Sequence, residues 1–209
     1  MNSSNGQDRP EHVDLSDMLS RPTRDIVKQA GGCHEGHFVF HDGYHGNGYV
    51  SKMTFLRHPR IVEEMGDRLA RLLSGSWSSI DTVVGPPKVG AILAYAVARR
   101  LNVPFTIVYR SKAGPTKFHR DFAPEKGTSC LIVDDLAYSG SSLSNYVAFM
   151  ASQGLKVIGA AVICSRVDRE IAAGLNIRSL MRSPFERHEP TACPLCHQGI
   201  EIMDTNIKE

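Results

Sequence analysis

The segment Cys130-Leu131-Ile132-Val133-Asp134-Asp135-Leu136-Ala137-Tyr138-Ser139-Gly140-Ser141-Ser142 holds the densest set of residues able to do chemistry. Cys130–Val133 reads as an apolar strand, and it leads into two carboxylates, a loop of small residues and the start of a helix. Backbone N–H groups at a helix N-terminus cradle an anion; Gly140 permits close approach, and the hydroxyls of Ser139, Ser141 and Ser142 add donors. Asp134 and Asp135 can accept hydrogen bonds from a vicinal diol, or bind Mg²⁺ directly or through water. A ribose 5-phosphate offers both partners at once. The plain alternative is a solvated acidic turn followed by capping serines. Two acids directly behind an apolar strand favour the functional reading.

Such residues need a scaffold, and the hydrophobic periodicity supplies one. Strands are expected at Thr82–Val84, Phe105–Tyr109, Cys130–Val133 and Val157–Cys164, with helices at Val89–Leu101 and at Ser142–Gln153, the latter closed by Gly154. Short apolar runs alternating with helices predict an α/β fold with a doubly wound, mainly parallel sheet. Ligands of such sheets bind at the carboxyl ends of the strands, beyond Val84, Tyr109, Val133 and Cys164. Upstream, Asp14–Ala30 reads as two short helices broken at Pro22 with Thr23 as a new N-cap, and the helix from Pro59 presents Ile61, Met65, Leu69 and Leu72 on one face. The stretch His37–Lys52, with strand pieces Phe38-Val39-Phe40 and Tyr49-Val50 around Asp42-Gly43, reads as a hairpin or hood. The expected division is a disordered tail over 1–11, a domain over 12–185 that includes the hood at 33–58, and a Cys-x-x-Cys tail over 186–209.

Composition excludes several function classes. Among 209 residues, 24 Lys and Arg face 22 Asp and Glu, a net charge of +2. That is too little for a protein that neutralises a run of nucleic-acid phosphates. No apolar run approaches the about 20 residues of a membrane span, and residues 1–11 show no export signal, so a soluble cytoplasmic protein with reduced thiols is expected. An apolar strand ending in Asp-Asp also fits a nucleoside triphosphatase. However, Gly85-Pro86-Pro87-Lys88-Val89-Gly90 is followed by Ala91-Ile92 where that motif needs Lys and Ser or Thr. No Gly-x-Gly-x-x-Gly follows a strand, which weakens a dinucleotide reading.

The segment around Asp134 and Asp135 resembles the phosphoribosyl pyrophosphate (PRPP) signature of the type I phosphoribosyltransferases. Within that family the chain, from about Gly36 to Arg169, is most similar to the enzymes that act on orotate. The resemblance implies that Asp134 and Asp135 bind the ribose hydroxyls and a Mg²⁺ cofactor, and that Leu136, Ala137, Tyr138, Ser139, Gly140, Ser141 and Ser142 bind the 5-phosphate. The loop at Pro86, Pro87 and Lys88 would hold the diphosphate. Arg110, Lys112, Lys117 and His119 resemble a mobile catalytic loop that reaches a neighbouring subunit, which implies a homodimer. Arg166 or Arg169 would meet the carboxylate of the base, with Ser139 and His41 also near it. The sequence departs from the family pattern at Tyr138, usually Thr; at His41-Asp42 in the hood; and at Arg120, where Gly is common. The implied reaction is Mg²⁺-dependent phosphoribosyl transfer to orotate, in pyrimidine nucleotide synthesis. Transfer to another base, and a non-catalytic PRPP-sensing protein, remain as alternatives.

Displacement of diphosphate from the ribose C1 builds positive charge on the sugar and negative charge on the leaving group, so cations from Lys112, Lys117 or His119 would act electrostatically, and a His could pass a proton to the departing group. Cys193-Pro194-Leu195-Cys196-His197 resembles a haem-attachment pentapeptide, whose chemistry requires export. As a zinc motif it supplies half a tetrahedral site, to be completed by a remote pair such as Cys33 with His34 or His37; otherwise it is a turn with a buried thiol. The run His34, His37, His41, His45 lacks helical spacing and is assigned no metal, although His41 or His45 could face the base. Trp77 reads as a packing anchor, and Cys130 and Cys164 as small core hydrophobes.

Overall fold

The computed structural model describes residues 15–40, 42–73, 79–110, 116–138, 140–166 and 174–204. The expected tail over 1–11 and Trp77 lie outside them. In chain order the elements are α1 (Leu15–Ser20), α2 (Thr23–Gln29), β1 (Cys33–Val39), β2 (His45–Val50), α3 (Lys52–Leu56), α4 (Pro59–Leu73), β3 (Thr82–Gly85), α5 (Val89–Leu101), β4 (Phe105–Arg110), β5 (Thr116–Phe118), β6 (Ser129–Ala137), α6 (Ser141–Ser152), β7 (Lys156–Ser165), β8 (Ile177–Arg182), β9 (Arg187–His188), α7 (Pro194–His197) and β10 (Met203–Asp204).

The larger sheet has the order β5-β4-β3-β6-β7-β8 and is parallel except for β5, which folds back on β4. β6 lies inside it, with Ile132 opposite Val84 on one side and Ala160 on the other. Both of its faces are covered. Leu131 and Val133 pack with residues of α4 and α5, while Cys130 and Ile132 pack with Leu143 and Met150 of α6. Covering on both faces is why this strand reads as an unbroken apolar run. Burial pushes the thiols of Cys130 and Cys164 up to about 12, so both act as inert core groups.

Two local expectations are corrected. Thr23 does not cap α2, whose N-cap is Pro22; Thr23 is buried in the first turn and its hydroxyl accepts from Arg68 Nη1 at 3.1 Å. Arg68 also reaches the carbonyls of Leu19 and Arg21 at 2.7 Å each, and thereby docks α1 and α2 on α4. On α4 the buried face ends at Leu73 rather than Leu72. Val62, Gly66 and Ala70 are buried as well, so the centre of the face lies to one side of Ile61 and Leu73 falls within it while Leu72 falls at its edge.

The smaller sheet, β10-β1-β2-β9, forms the hood. The tail is part of it: β10 pairs with β1, and β9 pairs with β2 through His45↔His188 and Gly46↔Arg187. Gly48 in β2 allows this closeness, because a Cβ there would stand 2.4 Å from the Phe185 ring. Among the described residues, no helix is long and apolar enough to cross a membrane.

Candidate active site

A cavity of about 950 Å³ opens where β3, β6 and β7 end, between the parallel sheet and the hood. Its floor is the acid pair. These acids were expected just beyond a strand ending at Val133, but β6 continues to Ala137 because β7 runs beside it, pairing Asp134 with Val162 and Ala137 with Ser165. Both carboxylates therefore project from strand backbone that β7 holds extended beyond the last β3 pairing at Ile132.

The two acids differ in their surroundings. Asp135 is 3% exposed, and its carboxylate meets Lys52 Nζ of α3 at 2.9 Å. Asp134 is partly buried and accepts the backbone N–H of Asp135 at 2.8 Å. Burial, and then the charge of Asp135, push the Asp134 carboxyl up to about 7, against the pull of that N–H and of Lys52. A bound cation or a pair of sugar hydroxyls would favour its ionised form. The set of hard oxygen donors fits Mg²⁺, which commonly takes one or two carboxylates and completes its shell with substrate oxygens and water.

The turn from β3 to α5 forms the next wall, through Pro86, Pro87 and Lys88. It presses closely on the acids. A Cβ on Gly90 would stand 2.7 Å from Pro86 Cδ and 3.0 Å from Asp134 Oδ1, so only hydrogen fits there. Lys88 has φ +68°, a left-handed conformation costing about 1–3 kcal/mol for a residue with a side chain. The strain sits on the wall of the cavity.

Beyond β6 the chain turns through Gly140, at φ +73°, into α6. The N-terminus of this twelve-residue helix opens onto the cavity beside Ser141 and Ser142. Its first-turn N–H groups point out of the helix, and its dipole adds positive potential, so an anion is favoured there.

The part of the wall at the ends of β6 and β7 is aromatic and basic. Arg166 follows β7, its backbone N–H bonded to the Ala137 carbonyl at 2.9 Å. Its guanidinium lies over the rings of Tyr138 (4.5 Å) and Phe40 (5.1 Å), and its Nε donates to Ser183 Oγ at 3.3 Å. Nη2 is buried with no hydrogen-bond partner, and burial lowers the Arg166 pKa. A planar cation held between rings with an unused donor is suited to a carboxylate. The large residue at Tyr138 thus supports Arg166 instead of crowding the phosphate cradle. Tyr138 is itself partly buried, which raises its hydroxyl to about 12.

The structure brings together around one cavity Asp134 to Tyr138, Gly140 to Ser142, Pro86 to Lys88, and Arg166. It does not bring Lys117 and His119 there. Lys117 is exposed on β5 opposite Tyr109, and the His119 side chain accepts from the Asp121 N–H to cap a short 3-10 turn, so both belong to the outer hairpin. His45 does not face the cavity either; its ring turns to His37 and Cys196. His41, Lys112, Ser139 and Arg169 lie outside the described residues, as does the side chain of Arg110. Sequence reasoning missed Lys52 and Arg187. Lys52 was legible as a cation at the end of the hood. Arg187, which meets Asp42 at 2.6 Å and lies over Tyr44, stands in a segment with no periodicity and gave no signal.

Acids for a diol, a cradle for a phosphate and room between them suit one class of ligand, a phosphorylated sugar. A model of the phosphoribosyl transferase domain matches residues 53–176. The orotate phosphoribosyltransferase of Thermotoga maritima is 30% identical over 177 residues, which cover 85% of this chain and 93% of that protein. The crystal structure of orotate phosphoribosyltransferase from Aeropyrum pernix aligns with a TM-score of 0.68 at 23% identity, covering 78% of this chain and 93% of that one. That of adenine phosphoribosyltransferase from Thermoanaerobacter pseudethanolicus aligns with a TM-score of 0.56 at 22% identity, covering 65% and 88%. The chain belongs to the phosphoribosyltransferase family and is an enzyme of that class. The two solved structures share the fold and differ in the base they are named for, so the choice of base rests on side chains.

Proposed function

We propose that this protein transfers the 5-phosphoribosyl group of PRPP to orotate, giving orotidine 5'-monophosphate and diphosphate in pyrimidine nucleotide synthesis. The observation that carries the choice of base is Arg166, a guanidinium on the cavity lining over the Tyr138 and Phe40 rings, whose buried Nη2 has no hydrogen-bond partner among the described residues. A carboxylated pyrimidine would answer that donor and lie against Phe40 and Tyr138. An uncharged base would leave it unpaired, at a cost of about 1–3 kcal/mol.

In this reading Asp134 and Asp135 hold the ribose hydroxyls, and the α6 N-terminus with Ser141 and Ser142 holds the 5-phosphate. The ring nitrogen of the base attacks C1 as the bond from C1 to the diphosphate oxygen breaks; the electron pair leaves with the diphosphate, and the proton of that nitrogen passes to the diphosphate or to solvent. Lys88 and its neighbours bind that leaving group. Asp134 and Asp135 would also hold Mg²⁺, which would supply positive charge against the diphosphate. Lys52 neutralises Asp135, which limits repulsion among the anions. Since Lys117 and His119 stand outside this chain's own cavity, we assign them, with Arg110 and Lys112, to the cavity of a second copy in a homodimer.

The test mixes the protein with PRPP and Mg²⁺ and then with orotate, uracil or adenine in turn, and follows the ultraviolet absorbance of each base. Turnover of orotate, with uracil and adenine about 5- to 150-fold slower, is expected from the unpaired-donor cost at Arg166. Turnover of adenine alone would reassign the acceptor, and PRPP binding without any turnover would make the protein a sensor.

A further inference from the structure

Four side chains that the reaction does not use converge on the far side of the hood. The Nε2 of His37, Nδ1 of His45 and the sulfurs of Cys193 and Cys196 all lie within 4.8 Å of one another. None of the four lines the cavity. His37 is 1% exposed and Cys193 fully buried, while Cys196 is at the surface.

A hydrogen-bond cluster does not account for this arrangement. His37 Nδ1 lies 2.8 Å from the Ile200 carbonyl, which can only accept, so Nδ1 carries the proton and Nε2 carries a lone pair. That one lone pair has three neighbours: His45 Nδ1 at 3.3 Å, Cys193 Sγ at 3.5 Å and Cys196 Sγ at 3.6 Å. One acceptor cannot serve three donors. A cation at the centre satisfies all four groups. With metal–nitrogen bonds of about 2.05 Å and metal–sulfur bonds of about 2.3 Å, a tetrahedron has edges of about 3.3 Å between nitrogens and about 3.6 Å between nitrogen and sulfur. The 3.3 Å His37–His45 edge and three of the four nitrogen–sulfur edges, at 3.2 to 3.6 Å, match this geometry, and the remaining two edges lie within 4.8 Å, close enough for the ligands to draw in around an ion.

We propose that His37, His45, Cys193 and Cys196 form a structural zinc site that fastens the C-terminal tail to the hood hairpin. Two thiolates and two imidazoles are a closed tetrahedral donor set for zinc, with no position left for a substrate. The Ile200 carbonyl is the outer partner that fixes the His37 tautomer and its ring orientation. The remote pair expected from Cys33 with His34 or His37 is corrected: His37 takes part, and its partner is His45. His34 instead stacks on Tyr49 at 4.8 Å.

The tail needs such a fastening. From Glu189 to Asp204 the sole buried side chain is Cys193, α7 has four residues, and Ile200, Ile202 and Met203 are exposed. Apart from the two-residue β10–β1 pairing, little apolar burial holds this segment, and a metal or another cross-link supplies what such a segment lacks. The site also joins β1 and β2 near their turn, in the hairpin whose other end carries Tyr49 and Val50 on the cavity wall.

Protein made without an affinity tag, under reducing conditions and without chelator, is expected to contain one zinc per chain by elemental mass spectrometry. Exchange with Co²⁺ is expected to give the visible absorption of tetrahedral cobalt together with a thiolate-to-cobalt charge-transfer band. Loss of an outer partner typically weakens a metal site by about 10–100-fold, so Cys196→Ser, which removes an exposed ligand, should weaken binding by at least about 100-fold. Absence of zinc both as isolated and after reconstitution, with no cobalt spectrum, would overturn the proposal. So would zinc held equally well by Cys196→Ser and His45→Ala. If these variants fail to fold, the cobalt titration of the unaltered chain decides alone. Each readout is independent of phosphoribosyl transfer.

Discussion

Replacing both Asp134 and Asp135 by Asn is expected to weaken PRPP binding by about 10²–10⁴-fold while the chain still folds. Each acid would give up a charge-assisted hydrogen bond to a ribose hydroxyl, worth about 1.5–3 kcal/mol, and two such losses span that range. The fold should survive, because an Asn at 134 can still accept the Asp135 backbone N–H that Asp134 accepts at 2.8 Å, and because Lys52, half exposed, is solvated when its partner at 135 loses charge. Calorimetric titration with PRPP and Mg²⁺ checks this, and unchanged affinity would refute the diol assignment.

The single variant Asp134→Asn should also reveal what the site costs in stability. The folded carboxyl titrates at about 7 against an ordinary 3.8, so the folded chain holds this proton more tightly than the unfolded chain. Below about pH 4 both states are protonated and the residue is neutral to stability. Between about 4 and about 7 the unaltered chain loses stability as pH rises, and above that the loss is constant. Relative to the unaltered chain, Asp134→Asn should therefore melt progressively higher from pH 4 to pH 8, with the difference levelling off above about 7. Thermal unfolding across that range checks the sign. Because the site needs the ionised acid, PRPP affinity should rise over the same window.

Arg166→Ala is the second large effect. It should raise the KM for orotate by about 30- to 10³-fold and change PRPP affinity far less, since the guanidinium is held over Tyr138 and Phe40 and on Ser183 Oγ. The estimate is the loss of one hydrogen-bonded carboxylate contact in a partly buried setting, about 2–4 kcal/mol. Arg166→Lys should recover little, because an ammonium restores the charge but neither the planar fork nor the stacking over Tyr138 and Phe40. Steady-state kinetics with each substrate varied in turn checks the split. A loss confined to PRPP would place Arg166 on the sugar phosphate.

The parallel core was legible in the sequence because its strands are covered on both faces. Leu131, Ile132 and Val133 alternate between two packed layers, and that demand writes a plain apolar run. The acids and the cradle were legible for the opposite reason, as polar residues placed directly against such a run. What the run did not show was that β6 continues through Asp134 and Asp135, because that extension is enforced by β7 and not by the side chains of β6. Arg166 and Arg169 could not be told apart by spacing; Arg166 lies over Tyr138 and Phe40, and Arg169 lies outside the described residues. Lys117 and His119 looked catalytic as a basic run, yet a hairpin facing outward is written with the same residues. The pairing of His37 with His45 depends on two strands and a tail more than 140 residues away, a closure that no local pattern encodes.

The most direct measurement is a calorimetric titration with ribose 5-phosphate, which carries the diol and the phosphate and lacks the diphosphate. The account predicts one molecule bound per chain, displaced by PRPP, with binding lost in the Asp134→Asn, Asp135→Asn double variant. Binding that survives the double variant, or failure to compete with PRPP, would contradict it.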